Sequence, residues 1–526
     1  MNKIFKALFF VSIIFLSSCQ DAKVEESSKK VDTMSNADST YYTEQYRNQF
    51  HFSPEANWMN DPNGMVYYDG EYHLFYQYYP DSTVWGPMHW AHAVSRDMVI
   101  WEHLPIALFP DSLGYIFSGS AVIDHKNTSG FGKDGKAPMI AIFTHHNMAG
   151  EKAGGNQYQY QSIAYSNDRG RTWAKYEGNP VVPNPGIKDF RDPKVIWHEA
   201  TQRWVMVFAA YDRVRIYNSP NLKDWIFASE FGIPGDKRLW ECPDLFPMKI
   251  EGTDNTKWVL ITSIQQQGPN GGTATAYFVG DFDGRTFNGD YKKLHWVDYG
   301  TDNYAMVTWS DVSKEDGRTL ALGWMNNWQY AQVVPTEKWR SAMTLPRVLT
   351  LHKTSDDFQI RSLPVKELTA IEGEKTRLET KTYSHLTTVL EKVPQQLYKL
   401  DLSFKKPFDS RVGVRFSNSK GEYTEVFFDG LENSYFIDRT KAGESDFSEH
   451  FAGLHRGAIN YDSETVDMLI YLDFGSIELF ADAGRCVMTE IIFPSPPYSK
   501  IEIIGEKNNT ELLSGTITEL KDIWRK

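Results

Sequence analysis

Ser166-Asn167-Asp168-Arg169-Gly170-Arg171-Thr172-Trp173 decides the fold, because it is one copy of a degenerate repeat. Each copy is a turn carrying Asp that ends in an aromatic. The others run from Ser95-Arg96-Asp97 to Trp101, from Ser219 to Asp224-Trp225, and through Asp281-Phe282-Asp283-Gly284-Arg285-Thr286-Phe287. The closing aromatics Trp101, Trp173, Trp225 and Phe287 lie 72, 52 and 62 residues apart. That is near the length of four short strands plus insertions, so the spacing predicts a β-propeller without fixing the number of blades. β-Rich runs precede the turns, as in Gln161-Ser162-Ile163-Ala164-Tyr165 and Ala274-Thr275-Ala276-Tyr277-Phe278-Val279, which read as strands.

After about Ile360 the repeat stops. Tyr398, Leu400, Leu402 and Phe404 alternate with polar residues, as do Val412, Val414 and Phe416. This period of two marks half-buried antiparallel strands and predicts a C-terminal β-sandwich. The chain is thus expected to be all-β, with a propeller over 46–360, a linker with a possible short helix over 361–384, and a sandwich over 385–526. At 526 residues, two domains are the default.

Within the propeller region lie three acidic islands: Trp58-Met59-Asn60-Asp61-Pro62-Asn63-Gly64, Phe190-Arg191-Asp192-Pro193 and Glu241-Cys242-Pro243-Asp244. Taken singly, Asn-Asp-Pro-Asn-Gly is a plain turn signal, Arg191-Asp192 a local ion pair, and Glu-Cys-Pro-Asp a strand end with a buried thiol. Taken together, in separate repeats, they supply what retaining sugar hydrolysis requires. That chemistry needs one carboxylate as nucleophile and a second carboxyl that first donates and then removes a proton.

With further blocks at Phe75-Tyr76-Gln77, Trp85-Gly86-Pro87-Met88-His89-Trp90, Phe117-Ser118-Gly119-Ser120, Gly323-Trp324-Met325-Asn326-Asn327-Trp328 and Trp339-Arg340-Ser341, the chain from Tyr46 onward resembles glycoside hydrolase family 32. This family holds the β-fructosidases, among them invertases, inulinases and levanases. The resemblance implies five blades, a mainly structural sandwich, and no cofactor. It implies Asp61 as nucleophile, Glu241 as acid/base and Asp192 as stabiliser of the transition state, with Arg191 anchoring Asp192 or bonding the sugar. Trp58, Asn60, Gln77, Trp85, Phe117, Ser118 and Trp328 match pocket positions. A charged Asp61 is expected to help Glu241 keep its proton, and the Cys242 thiol to desolvate that acid or simply to pack.

The blocks around Trp324 and Trp339 look closest to bacterial levanases and inulinases, so a fructan polymer or oligosaccharide is the expected substrate. Levan is favoured, inulin possible, and sucrose the alternative. A fructosyltransferase shares the same scaffold and stays open. A sialidase is disfavoured by the excess of acids, since sialidases hold a carboxylated sugar with several arginines. A non-catalytic glycan-binding lipoprotein is disfavoured because both catalytic acids are present.

Sixteen Trp and 14% aromatics suit stacking on sugar faces, and a spread net charge of −13 argues against nucleic acid. No metal is expected: His89 and His92 fall on opposite faces of one strand, and the adjacent pair His145-His146 does the same. At the N-terminus, Lys3 and Lys6 precede a short apolar run from Ala7 to Leu16, and Leu16-Ser17-Ser18-Cys19 resembles a bacterial lipobox. Residues 1–19 are therefore expected to direct export, with Cys19 lipidated and holding the protein to a membrane. Polar residues 20–45 read as a disordered tether.

Overall fold

A computed structural model of the chain describes residues 41–391, 396–457, 463–506 and 510–525. The expected export segment, Cys19 and the tether up to residue 40 lie outside them. The tether was expected to reach residue 45, but the chain is packed from Tyr42, whose buried ring stacks on Trp524 at 4.3 Å.

Five antiparallel sheets follow in chain order, each starting at its innermost strand, so the propeller has five blades as expected. The inner strands are Asn57–Tyr68, Tyr115–Ile123, Phe190–His198, Trp240–Lys249 and Tyr304–Thr308. The short strand Trp339–Arg340, on the connection between the second and third strands of blade V, pairs in parallel with Asn57–Tyr68 and so ties blade V to blade I. In blades I to IV the repeated turn links the third and fourth strands. Its chemistry recurs. Asp97, Asp168, Asn221 and Asp283 each accept backbone N–H groups two to four residues on, and the indole N–H of Trp101, Trp173 and Trp225 donates to a carbonyl three residues back. The Asx side chain thus replaces the missing ladder bonds while the aromatic seals the blade edge.

The sandwich comprises a seven-stranded and a six-stranded sheet around one apolar core that includes Leu400, Leu402, Phe404, Val412, Val414 and Phe416. The alternating residues point inward, as the period of two requires.

Half of the expected linker 361–384 is strand. Phe358–Pro364 is the outer strand of blade V, paired with Arg347–Lys353, while Glu372–Arg377 already pairs with Thr510–Leu520 in the sandwich. Only a 3-10 turn, Lys366–Ile371, joins them. Pro364 closes an edge strand, where no partner needs its N–H.

Candidate active site

Each inner strand faces the central channel, and each carries an irregularity. The register slips between Met59 and Pro62, Phe117 and Gly119, Arg191 and Lys194, Glu241 and Asp244, and Tyr304 and Val307. These are β-bulges, which bend a strand and re-aim its side chains. They explain the sequence islands. Pro193 and Pro243 sit inside the bulges, where a missing N–H costs no ladder bond, and Pro62 stands directly after the bulge of Asn60 and Asp61, paired with Tyr76. The islands are therefore kinked strand and not the turns that Asn-Asp-Pro-Asn-Gly suggests.

The bulges put non-glycine residues in the left-handed region: Asp192 at φ 65°, Cys242 at 44° and Ala305 at 52°. Such conformations cost about 1–3 kcal/mol each and persist only where the surroundings enforce them. The enforcement comes from the preceding blade. The Asp192 N–H donates to Thr144 Oγ1 of blade II, the Cys242 N–H to Asp192 Oδ2 of blade III, and the Ala305 N–H to Ser263 Oγ of blade IV, each at 3.0 Å. Closing the ring of blades therefore fixes the bulges, and the bulges fix the acids.

Asp61, Asp192 and Glu241 converge from blades I, III and IV. Ser118 Oγ of blade II donates to Asp61 Oδ2 at 2.6 Å, and the Cys242 thiol lies 3.5 Å from the same oxygen and 3.7 Å from Asp192 Oδ2. Asp61 Oδ1 is buried and has no well-formed hydrogen bond. Burial, helped by the charge of Glu241, raises the Asp61 pKa against the bonds from Ser118, Asn60 and Cys242. Asp192 is raised too, by burial above all; Arg191 opposes this while Glu241 and Asp61 add to it. The side chain of Glu241 is 13% exposed against 5% for Asp192, so it stands nearer the mouth.

Arg191 does not chiefly anchor Asp192, which it approaches only to 3.8 Å. Its guanidinium bonds Asp189 Oδ1 at 2.6 Å and Glu241 Oε1 at 2.9 Å. Cys242 likewise touches Asp61 and Asp192 rather than Glu241, and burial pushes its thiol well up, so it is a neutral wall. Sequence reasoning missed Tyr304, whose hydroxyl donates to Glu241 Oε2 at 2.6 Å. Blade V has no acidic island to point to it; only its place on the fifth inner strand could have.

The expected pocket residues gather around these acids. Trp58, Trp85, Phe117 and Trp328 share one apolar cluster with Cys242 and Tyr304. Trp58 is fully buried, however, so it backs the pocket rather than lining it. Its indole N–H holds Asn60 Oδ1 at 2.7 Å, and its ring lies 5.8 Å from that of half-buried Trp328. Gln77, on the strand opposite the Asp61 bulge, is tied to the Ile116 carbonyl of blade II. Below the acids, Lys194, Asp244 and Thr308 close the channel through short bonds among blades III, IV and V. A cavity of about 1360 Å³ lies beyond that plug and contains none of the three acids.

His145 and His146 are both buried and hydrogen-bonded, to Ser162 and Gln159 respectively. Among the described residues no group of three or more His, Cys, Asp or Glu is placed to hold a metal ion.

Residues 51–362 match the model of the glycosyl hydrolases family 32 N-terminal domain, and residues 365–519 that of the family 32 C-terminal domain. A levanase of Bacillus subtilis (strain 168) is 47% identical over 497 residues, spanning 93% of this chain and 72% of its own. An extracellular exo-inulinase of Aspergillus awamori is 38% identical over 518 residues, spanning 92% and 96%. The crystal structure of an exo-inulinase from that organism superposes with a TM-score of 0.84 at 36% identity, covering 92% of this chain and all of the other.

Proposed function

The chain belongs to glycosyl hydrolase family 32, and from that premise we propose that it hydrolyses β-fructosyl linkages of fructans with retention of configuration, Asp61 serving as nucleophile. The observation that carries the assignment is the asymmetry of the Asp61 carboxylate. One oxygen is pinned by Ser118, and the other is left without a well-formed bond.

Asp61 Oδ1 attacks the anomeric C2 of the fructosyl unit. The bond from C2 to the leaving sugar oxygen breaks as Glu241 gives that oxygen its proton. Glu241 then takes a proton from water, the hydroxide attacks C2, and fructose leaves with the Asp61 carboxylate restored. Asp192 receives ring hydroxyls and stabilises the oxocarbenium-like transition state. Arg191 and Tyr304 hold Glu241 from two sides and fix its direction. Trp85, Phe117 and Trp328 supply apolar faces for sugar rings.

Levan is the preferred substrate in this reading, ahead of inulin and then sucrose, on the identity to a levanase across nearly the whole chain. Kinetics on the three at equal fructosyl concentration test this. A higher kcat/KM on levan supports it, and a clear preference for sucrose moves the protein to the invertase type. Cys19 carries a lipid that holds the exported enzyme to a bacterial membrane, on the strength of Lys3, Lys6 and the Leu16-Ser17-Ser18-Cys19 block. Lipid labelling of the wild type but not of Cys19→Ser is the expected result, and equal release of both proteins into the soluble fraction would contradict it.

A further inference from the structure

The segment 326–338 leaves blade V between the strands Thr319–Met325 and Trp339–Arg340, and it carries Trp328. The Trp328 ring rests 4.9 Å from that of Trp324 and 5.8 Å from that of Trp58, both fully buried. The turn around Trp328 is tightly closed. The Tyr330 and Ala331 N–H groups both donate to the Asn327 carbonyl, at 3.1 and 2.8 Å. The Asn327 side chain accepts the Gln329 N–H at 3.1 Å and donates to the Thr301 carbonyl at 2.8 Å. Trp328 therefore moves with Tyr330.

Tyr330 is seated on the sandwich. Its buried hydroxyl donates to Asp302 Oδ1 at 2.6 Å and accepts from Arg439 Nη2 at 2.8 Å. Arg439 lies on the sandwich strand Ser434–Lys441 and is fully buried. It bonds Asp302 Oδ2, Glu490 Oε2 and the Phe451 carbonyl, with its guanidinium 4.1 Å above the Phe451 ring. A hydroxyl held as donor and acceptor at once has one direction, and a planar guanidinium with its fork filled has one orientation. The Tyr330 ring packs in an apolar cluster that joins blade V to the sandwich through Trp339, Phe451 and Phe493.

We propose that Arg439 and Tyr330 are positioning residues through which the sandwich sets the place of Trp328, and with it the affinity for the fructosyl substrate. The proposal rests on Trp328 contacting substrate, as in the reading above. The sandwich then acts on binding as well as on stability.

Steady-state kinetics on levan and sucrose with Tyr330→Phe, Trp328→Ala and the double variant test it. Tyr330→Phe keeps the ring in its cluster and removes only the hydroxyl. It is expected to raise KM several-fold while kcat stays within about a factor of two. Arg439→Lys keeps the charge, loses the fork, and moves KM the same way. In the Trp328→Ala background, Tyr330→Phe adds nothing to KM, because both changes act through one ring. A merely structural role would lower Tm and the active fraction without moving KM. An unchanged KM in Tyr330→Phe, or the same added effect with Trp328 absent, overturns the proposal alone. An unchanged KM in Trp328→Ala removes the premise and the proposal together.

Discussion

Two buried sets of carboxylates sit in this molecule and behave oppositely. In the channel, Asp192 and Glu241 share one guanidinium, that of Arg191, which Asp189 also holds, and among the described residues no cation is paired with Asp61. Where blade V meets the sandwich, Asp298, Asp302, Asp473, Glu478 and Glu490 are threaded by Arg347, Arg439, His51 and His455. Burial penalises charge in both places. At the interface, Arg347 and His51 outweigh it and lower Glu478, and His455 and Arg439 do the same for Glu490, although burial still raises Asp302. In the channel burial wins, and Asp61 and Asp192 are raised. Carboxylates saturated with partners bind domains together; carboxylates left short of partners are free to take up a proton or a carbon atom.

The largest expected effect separates the two sets by readout. Asp61→Asn keeps an acceptor for Ser118 and removes the nucleophile, so kcat/KM should fall by several kcal/mol of transition-state stabilisation, or roughly a thousandfold or more. Its Tm should not fall, and at pH 8 should rise slightly, because an under-compensated buried charge is gone. Initial rates and thermal melts check both halves.

Arg347→Met, at the interface, should do the reverse. Arg347 is fully buried and bonds Asp298 Oδ2 at 2.9 Å and Glu478 Oε2 at 2.6 Å. Its loss leaves buried Asp298 without a cationic partner and Glu478 with His51 alone, costing about 3–5 kcal/mol of stability. Denaturant unfolding should show this, while the fraction that remains folded keeps a normal KM.

The pH dependence sharpens the contrast further. Burial lowers the His51 pKa, but its bonds to Asp473 and Glu478 more than offset this and hold it at about 9, above the unfolded value of 6.5. A raised folded pKa gives stability that is full below the unfolded value and is lost as pH rises through the folded one. The melting temperature should therefore decline between about pH 6.5 and 9, and His51→Gln should flatten that decline. The smallest effect belongs to Ser118→Ala. Releasing Asp61 Oδ2 should lower kcat by about tenfold or less, with no change in Tm beyond a degree or so.

Much of this was legible in the sequence, for physical reasons. The Asx turns write their hydrogen bonds into local spacing, so Asp168 and Trp173 predict a blade hairpin without any tertiary information. The proline that follows Asp61, Asp192 and Cys242 marks a bulge facing the channel, and the structure brings the acids carried there together around Cys242 and Arg191. What stayed hidden depends on contacts between blades. Arg191 next to Asp192 reads as a pair, yet the bulge swings it to Glu241, fifty positions away. Tyr304 has no local signal, since its role comes from blade V closing on blade IV. Trp58 matches a pocket position by resemblance, but only packing shows that Trp324 and Trp328 cover it. The last four residues of the strand Phe358–Pro364 read as linker because an edge strand need not alternate or avoid proline.

Trapping the covalent intermediate tests the central claim most directly. Removal of the Glu241 carboxyl slows release of the fructosyl group, so Glu241→Ala incubated with a fructosyl donor bearing a good leaving group, then quenched and digested, should yield one peptide carrying an added fructosyl residue. The account predicts that peptide to contain Asp61. An adduct on the Asp192 peptide, or none under conditions where the leaving group is released in a burst, would contradict it.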